Sequence, residues 1–212
     1  MAAICAFGFA NAQDKKGGSS DSDMAFGVKG GLNVATLSNT AQGNTDTVLL
    51  GFHVGVFGEF KVTDKFAVQP EILFSTQGNK SKSSQDFGGG FSSSSEDKTK
   101  LGYLNIPVMA KFYVTDDFSI EAGPQIGFLM SAKSEDTTTD VGGGPTTTTS
   151  STTDVKDKLN SVDFGLNFGL GYNIGANIVV GARYDLGLND IQKTLGTNEK
   201  GRKNGVFQVS VG

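Results

Sequence analysis

Ten titratable side chains lie at positions whose sequence neighbours are apolar or small, and these residues could do chemistry together. They are Lys29, His53, Glu59, Lys61, Glu71, Lys111, Glu121, Asp163, Arg183 and Asp185. The alternation predicts that they share one face of a set of β-strands, opposite an apolar face. Charges on one enclosed face can form a structural network of ion pairs, a proton relay or the lining of a narrow conducting path. We interpret them as a polar network that fills an enclosed interior.

His53 is the only histidine and the best candidate for a general base. No Gly-x-Ser-x-Gly motif accompanies it, and no group of histidines or carboxylates has the spacing of a metal site. We therefore predict no catalytic residue, no metal and no cofactor. A hydrolase that uses His53 near the rim of the fold stays an alternative hypothesis.

A period of two in hydrophobicity from Met24 onward predicts the elements that position these residues. In "LLGFHVGVFGEFKV", which begins at Leu49 and Leu50, apolar side chains recur at alternate positions, and seven other stretches repeat this pattern. The fold class predicted is all-β, with eight antiparallel strands. Pro70, Pro107 and Pro124 fall inside predicted strands, where β-bulges are expected to accommodate them.

The connections between these strands alternate in length. Short ones are predicted at residues 63–65, 115–117 and 175–177, and long polar ones at 37–48, 79–98, 133–158 and 189–204. The repeated Val-Thr-Asp-x-Phe at Val62 and Val114 marks two of the short turns. This layout is typical of a transmembrane up-and-down β-barrel. The long connections are rich in Ser, Thr and Gly, and we expect them to be disordered.

Aromatic residues on the apolar face form two groups, as expected for the two interfaces of a membrane. Next to the short turns lie Phe26, Phe60, Phe66, Phe112, Phe118 and Tyr172. Towards the long connections lie Phe52, Phe74, Phe128, Phe164 and Tyr184. We predict that both groups are membrane-interface aromatics.

The start of the chain has the pattern of an export signal. Residues 1–12 end in Ala-Asn-Ala after a small, apolar run, which predicts part of a signal peptide. Residues 13–23 are predicted to be a flexible segment, and residues 24–212 the barrel. The single cysteine, Cys5, falls in the segment predicted to be removed. A net charge of −4 gives no reason to expect a nucleic-acid partner.

Four stretches carry a resemblance to a known family. They are "GVKGGLNVATLS", "YLNIPVMAKFYV", "SIEAGPQIGFLMSA" and the closing "VFQVSVG". They resemble the PorT-type outer-membrane β-barrel family of Bacteroidetes, often called the porin family, over nearly all of residues 24–212.

The resemblance implies an eight-stranded barrel similar in size to the OmpA membrane domain, located in the outer membrane of a Gram-negative, Bacteroidetes-like bacterium. It implies outer-membrane lipid as a partner and other outer-membrane proteins as further partners. The function expected is a structural or interaction role, such as an accessory subunit of an outer-membrane complex. The alternatives are a small pore for ions or small solutes, and the rim hydrolase that uses His53.

Overall fold

The structure is a computed structural model that describes residues 24–37, 45–142, 144–175, 177–193 and 201–212. The signal peptide predicted at residues 1–12 and the flexible segment predicted at 13–23 lie outside the described residues.

Antiparallel β-strands make up most of the described chain. They are β1 (Met24–Leu37), β2 (Thr45–Thr63), β3 (Phe66–Gly88), β4 (Phe91–Tyr113), β5 (Phe118–Val141), β6 (Thr147–Asp154), β7 (Val162–Ile174), β8 (Ile178–Gly187) and β9 (Asn204–Val211). A single turn of 3₁₀ helix, Lys156–Lys158, precedes β7. In these ranges, no helix has the length and apolar character needed to cross a membrane.

Eight of the strands close into a ring. Its order is β1, β2, β3, β4, β5, β7, β8 and β9, and β9 returns to pair with β1 from Gly30–Val211 to Leu37–Asn204. The sixth strand, β6, is outside the ring and pairs with β5. The prediction of an eight-stranded antiparallel barrel is therefore confirmed.

The two faces of the barrel wall have the reverse of the polarity found in a soluble protein. Phe26 and Leu50 on the outer face are both 75% exposed, whereas Asn33 on the inner face is fully buried at 0%. Because apolar side chains on a barrel wall are stable in contact with lipid and polar ones need partners inside, this arrangement suits a membrane.

The connections predicted to be disordered at 79–98 and 133–158 are largely β-structure, so that prediction is wrong. Strands β3 and β4 continue to a tight turn in which Gly88, Gly89 and Gly90 have φ of +76°, +65° and +84°. Strands β5 and β6 form a second extended hairpin, with Thr138 opposite Thr149. Both faces of such extensions lie outside the lipid, so Ser and Thr occupy both and the apolar alternation that predicts strands is missing.

The β-bulges expected at the three prolines do not occur there. The β3–β4 register is the same on both sides of Pro107, and the pairing is interrupted without a shift. The same is true of β4–β5 beside Pro124 and of β2–β3 beside Pro70. Each proline lacks an N–H and so removes one hydrogen bond from the ladder, while the pairs on either side of it keep the register. Bulges occur instead between Val48 and His53 and at Gly102–Tyr103.

Candidate functional site

A layer of six charged side chains crosses the lumen in its lower half, towards the short turns. Its centre is Arg183, whose two terminal nitrogens donate to Glu71 at 2.9 and 2.8 Å and to Glu121 at 3.0 Å. Lys29 donates to the same Glu71 carboxylate at 2.9 Å. Strands β1, β3, β5 and β8 supply these four residues, so the layer ties together opposite sides of the ring.

Lys111 on β4 connects the layer to Glu59 on β2. Its ammonium lies 2.7 Å from Glu59 and 3.8 Å from Glu121. The Tyr113 hydroxyl donates to the second Glu59 oxygen at 2.6 Å. The layer therefore holds three cations and three carboxylates, and its formal charge is zero. Such a balance is what makes buried charges tolerable, because each desolvated group keeps an opposite charge and hydrogen bonds.

The structure does not bring the other four predicted residues into this layer. His53 is buried, and its Nδ1 lies 2.7 Å from Asn33 Oδ1. Asp185 accepts from Gln125 at 2.6 Å, and Asp163 accepts from Asn204 at 2.5 Å. Lys61 is exposed near the β2–β3 turn, away from the layer. The ten residues thus divide into one six-residue layer, three separate buried contacts and one exposed lysine.

An apolar cluster of buried side chains lies above the charges, and sequence reasoning did not find it. Its buried members are Leu37, Leu101, Tyr103, Leu129, Ala132, Leu159 and Ile191. Leu159 and Ile191 come from the connections outside the ring, where a β-bridge joins Leu159 to Gln192. A signal was present, since both are isolated apolar residues in polar stretches, which indicates that they fold back onto an apolar surface.

Little open space is left near the charged layer. A cavity of about 20 Å³ lies beside Lys29, Lys111 and Glu121, which accommodates about one water molecule. In an eight-stranded barrel the side chains are just able to fill the interior. Within the described residues, the charged layer and the apolar cluster are two successive obstacles along the lumen.

The extensions of β3, β4 and β5 carry a second charged group outside the membrane-spanning part. Lys98, Lys80 and Lys82 surround Glu96 at 2.6, 2.9 and 3.2 Å. The hydrogen bond from Lys98, followed by that from Lys80, lowers the pKa of Glu96 to about 2. Lys100 pairs with Glu135 at 2.7 Å. Among the described residues, no group of three or more His, Cys, Asp and Glu could hold a metal ion.

The predicted interface aromatics lie on the outer wall. At the short-turn end, Phe66 is opposite Phe112 and Phe118 is opposite Tyr172 in the strand register. The Phe26 and Phe60 rings meet edge to face with centroids 5.9 Å apart. At the other end, the Phe52 and Phe74 centroids are 6.1 Å apart. Eight to ten residues separate the two levels along a strand, close to the ~9–11 that a membrane-spanning strand needs.

The family of the chain follows from a match to its sequence. Residues 11–193 match the model of the outer membrane protein beta-barrel domain family. The chain belongs to this family and is an outer-membrane β-barrel protein of a Gram-negative bacterium. The finer PorT-type and Bacteroidetes assignment is an expectation from resemblance alone.

Solved structures with a similar arrangement of strands include other outer-membrane barrels. Ail, the attachment invasion locus protein of Yersinia pestis, is 11% identical, with 88% of this chain and 95% of that chain covered and a TM-score of 0.42. Neisserial surface protein A is 14% identical, with 89% and 96% covered and a TM-score of 0.46. OprG from Pseudomonas aeruginosa is 13% identical, with 88% and 93% covered and a TM-score of 0.33. No curated protein matches the chain.

Proposed function

We propose that this protein is a closed membrane anchor that presents an extracellular β-sheet to another protein. Its role is then structural or interactive, as in an accessory subunit of an outer-membrane complex. The observation that carries the proposal is the extension of β3, β4 and β5, with β6 added, beyond the ring.

The lengths of the strands support a surface that stands above the membrane. Strands β3, β4 and β5 have 23, 23 and 24 residues, whereas β8 has 10. A membrane-spanning strand needs ~9–11 residues, so about 12 residues of each long strand lie beyond the lipid. At about 3.3 Å per residue, this is roughly 40 Å along the strand.

The open edge of β6 supports recognition of a protein. Within the described residues β6 pairs with β5 alone, and all eight of its side chains are exposed. A free edge can accept an added strand from a partner through backbone hydrogen bonds.

The interior supports neither alternative function. A pore needs a continuous path, and here the charged layer and the apolar cluster occupy the lumen. A hydrolase needs His53 within reach of a nucleophile and of substrate, but the ring is buried against Asn33 beneath the mouth of the barrel. We propose that the six charges have a structural role and that the two aromatic groups lie at the membrane interfaces.

The test is a mild-detergent pull-down of tagged protein from native outer membranes, with two register-preserving deletions. Ser134 is the Cα partner of Thr153, so removing 135–152 and closing the hairpin with Asn-Gly removes most of β6 without a shift in register. Ser84 is the partner of Ser94, so removing 85–93 shortens β3–β4 in the same way and is the matched control.

We expect a stoichiometric partner that is lost when β5–β6 is shortened and retained when β3–β4 is shortened. A clean monomer from the wild-type protein, or a partner that survives both deletions, would contradict the proposal.

A further inference from the structure

An apolar groove lies on the outer wall at the level of the upper aromatic residues. Its volume is about 360 Å³, and its walls include Leu50, Phe52 and Phe74. Leu50 is 75% exposed and Phe52 48% exposed, so the groove opens to the outside of the barrel. In a membrane this surface is covered by lipid chains.

Two β-bulges flank this groove and account for its shape. On one side, β2 gains a residue relative to β3 between Val48 and His53. There the Thr76 hydroxyl accepts from the Phe52 N–H at 2.7 Å in place of a backbone partner. On the other side, β5 gains a residue relative to β4 at Gly102–Tyr103. Bulges bend strands and recur next to functional sites.

Glycine keeps the groove open at its centre. A Cβ on Gly102 would lie 2.6 Å from the Ser131 hydroxyl and 3.6 Å from the Phe74 ring. A larger residue at position 102 would therefore fill the space between Phe74 and β5.

Two lysines mark the upper end of this groove. Lys100 and Lys133 both line it and are Cα partners across β4 and β5. Like charges directly opposite each other are destabilising unless an anion lies near them. Lys100 has Glu135 at 2.7 Å, but within the described part of the chain Lys133 makes no ion pair. Its register neighbour on β6, Asp154, accepts instead from the backbone N–H of Lys156 at 2.9 Å.

The surrounding wall is also positive. The same outward face carries Lys80, Lys82, Lys98, Lys100 and Lys133 against Asp86, Glu96, Glu135 and Asp154, a formal balance of +1. The inward face of the same extension carries Asp97, Asp136 and Asp140 instead. The lysines are thus concentrated on the face of the extension that continues the apolar outer wall of the barrel.

We propose that this groove binds one phosphorylated lipid of the outer leaflet. An acyl chain lies along Leu50, Phe52 and Phe74, and a phosphate of the headgroup lies between Lys100 and Lys133. The two lysines lie directly above the aromatic residues, at the level of the lipid headgroups. Their positive charge favours a phosphorylated lipid over a neutral one.

The test is native mass spectrometry of the full-length protein in an uncharged detergent, titrated with diphosphorylated lipid A. Comparators are the same lipid with both phosphates removed and inorganic pyrophosphate as a competitor without acyl chains. The variant is Lys100→Gln/Lys133→Gln, and the matched control is Lys61→Gln/Lys65→Gln, which removes two exposed lysines at the opposite end. Far-UV circular dichroism establishes that both variants are folded.

We expect the wild type to bind one lipid A, the Lys100/Lys133 variant to bind it about tenfold or more weakly, and the control to match the wild type. Equal binding by all three proteins would overturn the proposal, as would equal wild-type affinity for the lipid without phosphates. Displacement of lipid A by millimolar pyrophosphate would show a site for free anions and would overturn the assignment to a lipid.

Discussion

Replacing Arg183 with methionine tests how strongly the charged layer stabilises the barrel. The Arg183 side chain is 6% exposed. Among the described residues, it is the one cation that forms ion pairs with both Glu71 and Glu121. Removing it leaves two cations facing three carboxylates. Breaking a buried pair in this way costs about 3–5 kcal/mol, because a charge is left uncompensated in a dry interior.

A second substitution separates charge balance from the loss of packing. In Arg183→Met/Glu121→Gln the layer is neutral again, and the pairs Lys29–Glu71 and Lys111–Glu59 remain at 2.9 and 2.7 Å. We therefore expect the double variant to be more stable than Arg183→Met alone, with a coupling energy of at least about 1 kcal/mol. The exposed turn residue Lys65 provides the control, since Lys65→Gln is expected to change the free energy of unfolding by no more than about 0.5 kcal/mol.

The assay is urea unfolding of the protein in lipid vesicles, followed by far-UV circular dichroism because the chain has no tryptophan. The reasoning is refuted if Arg183→Met costs less than about 1 kcal/mol, or if the double variant loses the sum of the two single losses.

Two further predictions concern close packing and pH. Gly55→Ala places a Cβ against the backbone carbonyl of Ile72, whereas a Cβ on Gly30 has its nearest neighbour at 3.7 Å. In urea unfolding, we expect Gly55→Ala to lower the free energy of unfolding by about 1–3 kcal/mol and Gly30→Ala to leave it nearly unchanged. Equal losses from the two substitutions would contradict this. Glu96 is expected to titrate near pH 2 in an NMR titration of its side-chain carboxyl, because hydrogen bonds to Lys98 and then Lys80 lower its pKa from 4.5 to about 2. The contribution of Glu96 to hairpin stability is then complete above about pH 4.5 and is lost as the pH falls through about 2, and a midpoint near 4.5 would refute the lysine cluster.

The barrel itself could be predicted from sequence because lipid imposes a strong pattern. Leu50, Phe52 and Val54 alternate with Gly51 and His53. Together with the two groups of aromatic residues and the alternation of short and long connections, this pattern is typical of a wall with lipid on one side. The two Val-Thr-Asp-x-Phe turns then set the direction and order of the strands.

The sheet formed by the extensions of β3, β4 and β5 together with β6 could not be predicted in the same way. Ser93 and Ser94 face opposite sides of β4, so this part of the sequence lacks the alternation of apolar and polar residues that marks a strand. The turn glycines Gly88, Gly89 and Gly90 are a usable signal for a hairpin, but glycines beside a run of serines are equally typical of a disordered loop. Partners in the lumen also depend on how the ring closes: Arg183 and Glu71 are 112 positions apart in the chain.

Planar-bilayer recording of the purified protein at neutral pH is the direct test of whether the lumen is filled and closed to ions. We expect no discrete current steps above the baseline of the lipid bilayer. Reproducible steps of uniform size would contradict it, because ions would then pass both the charged layer and the apolar cluster.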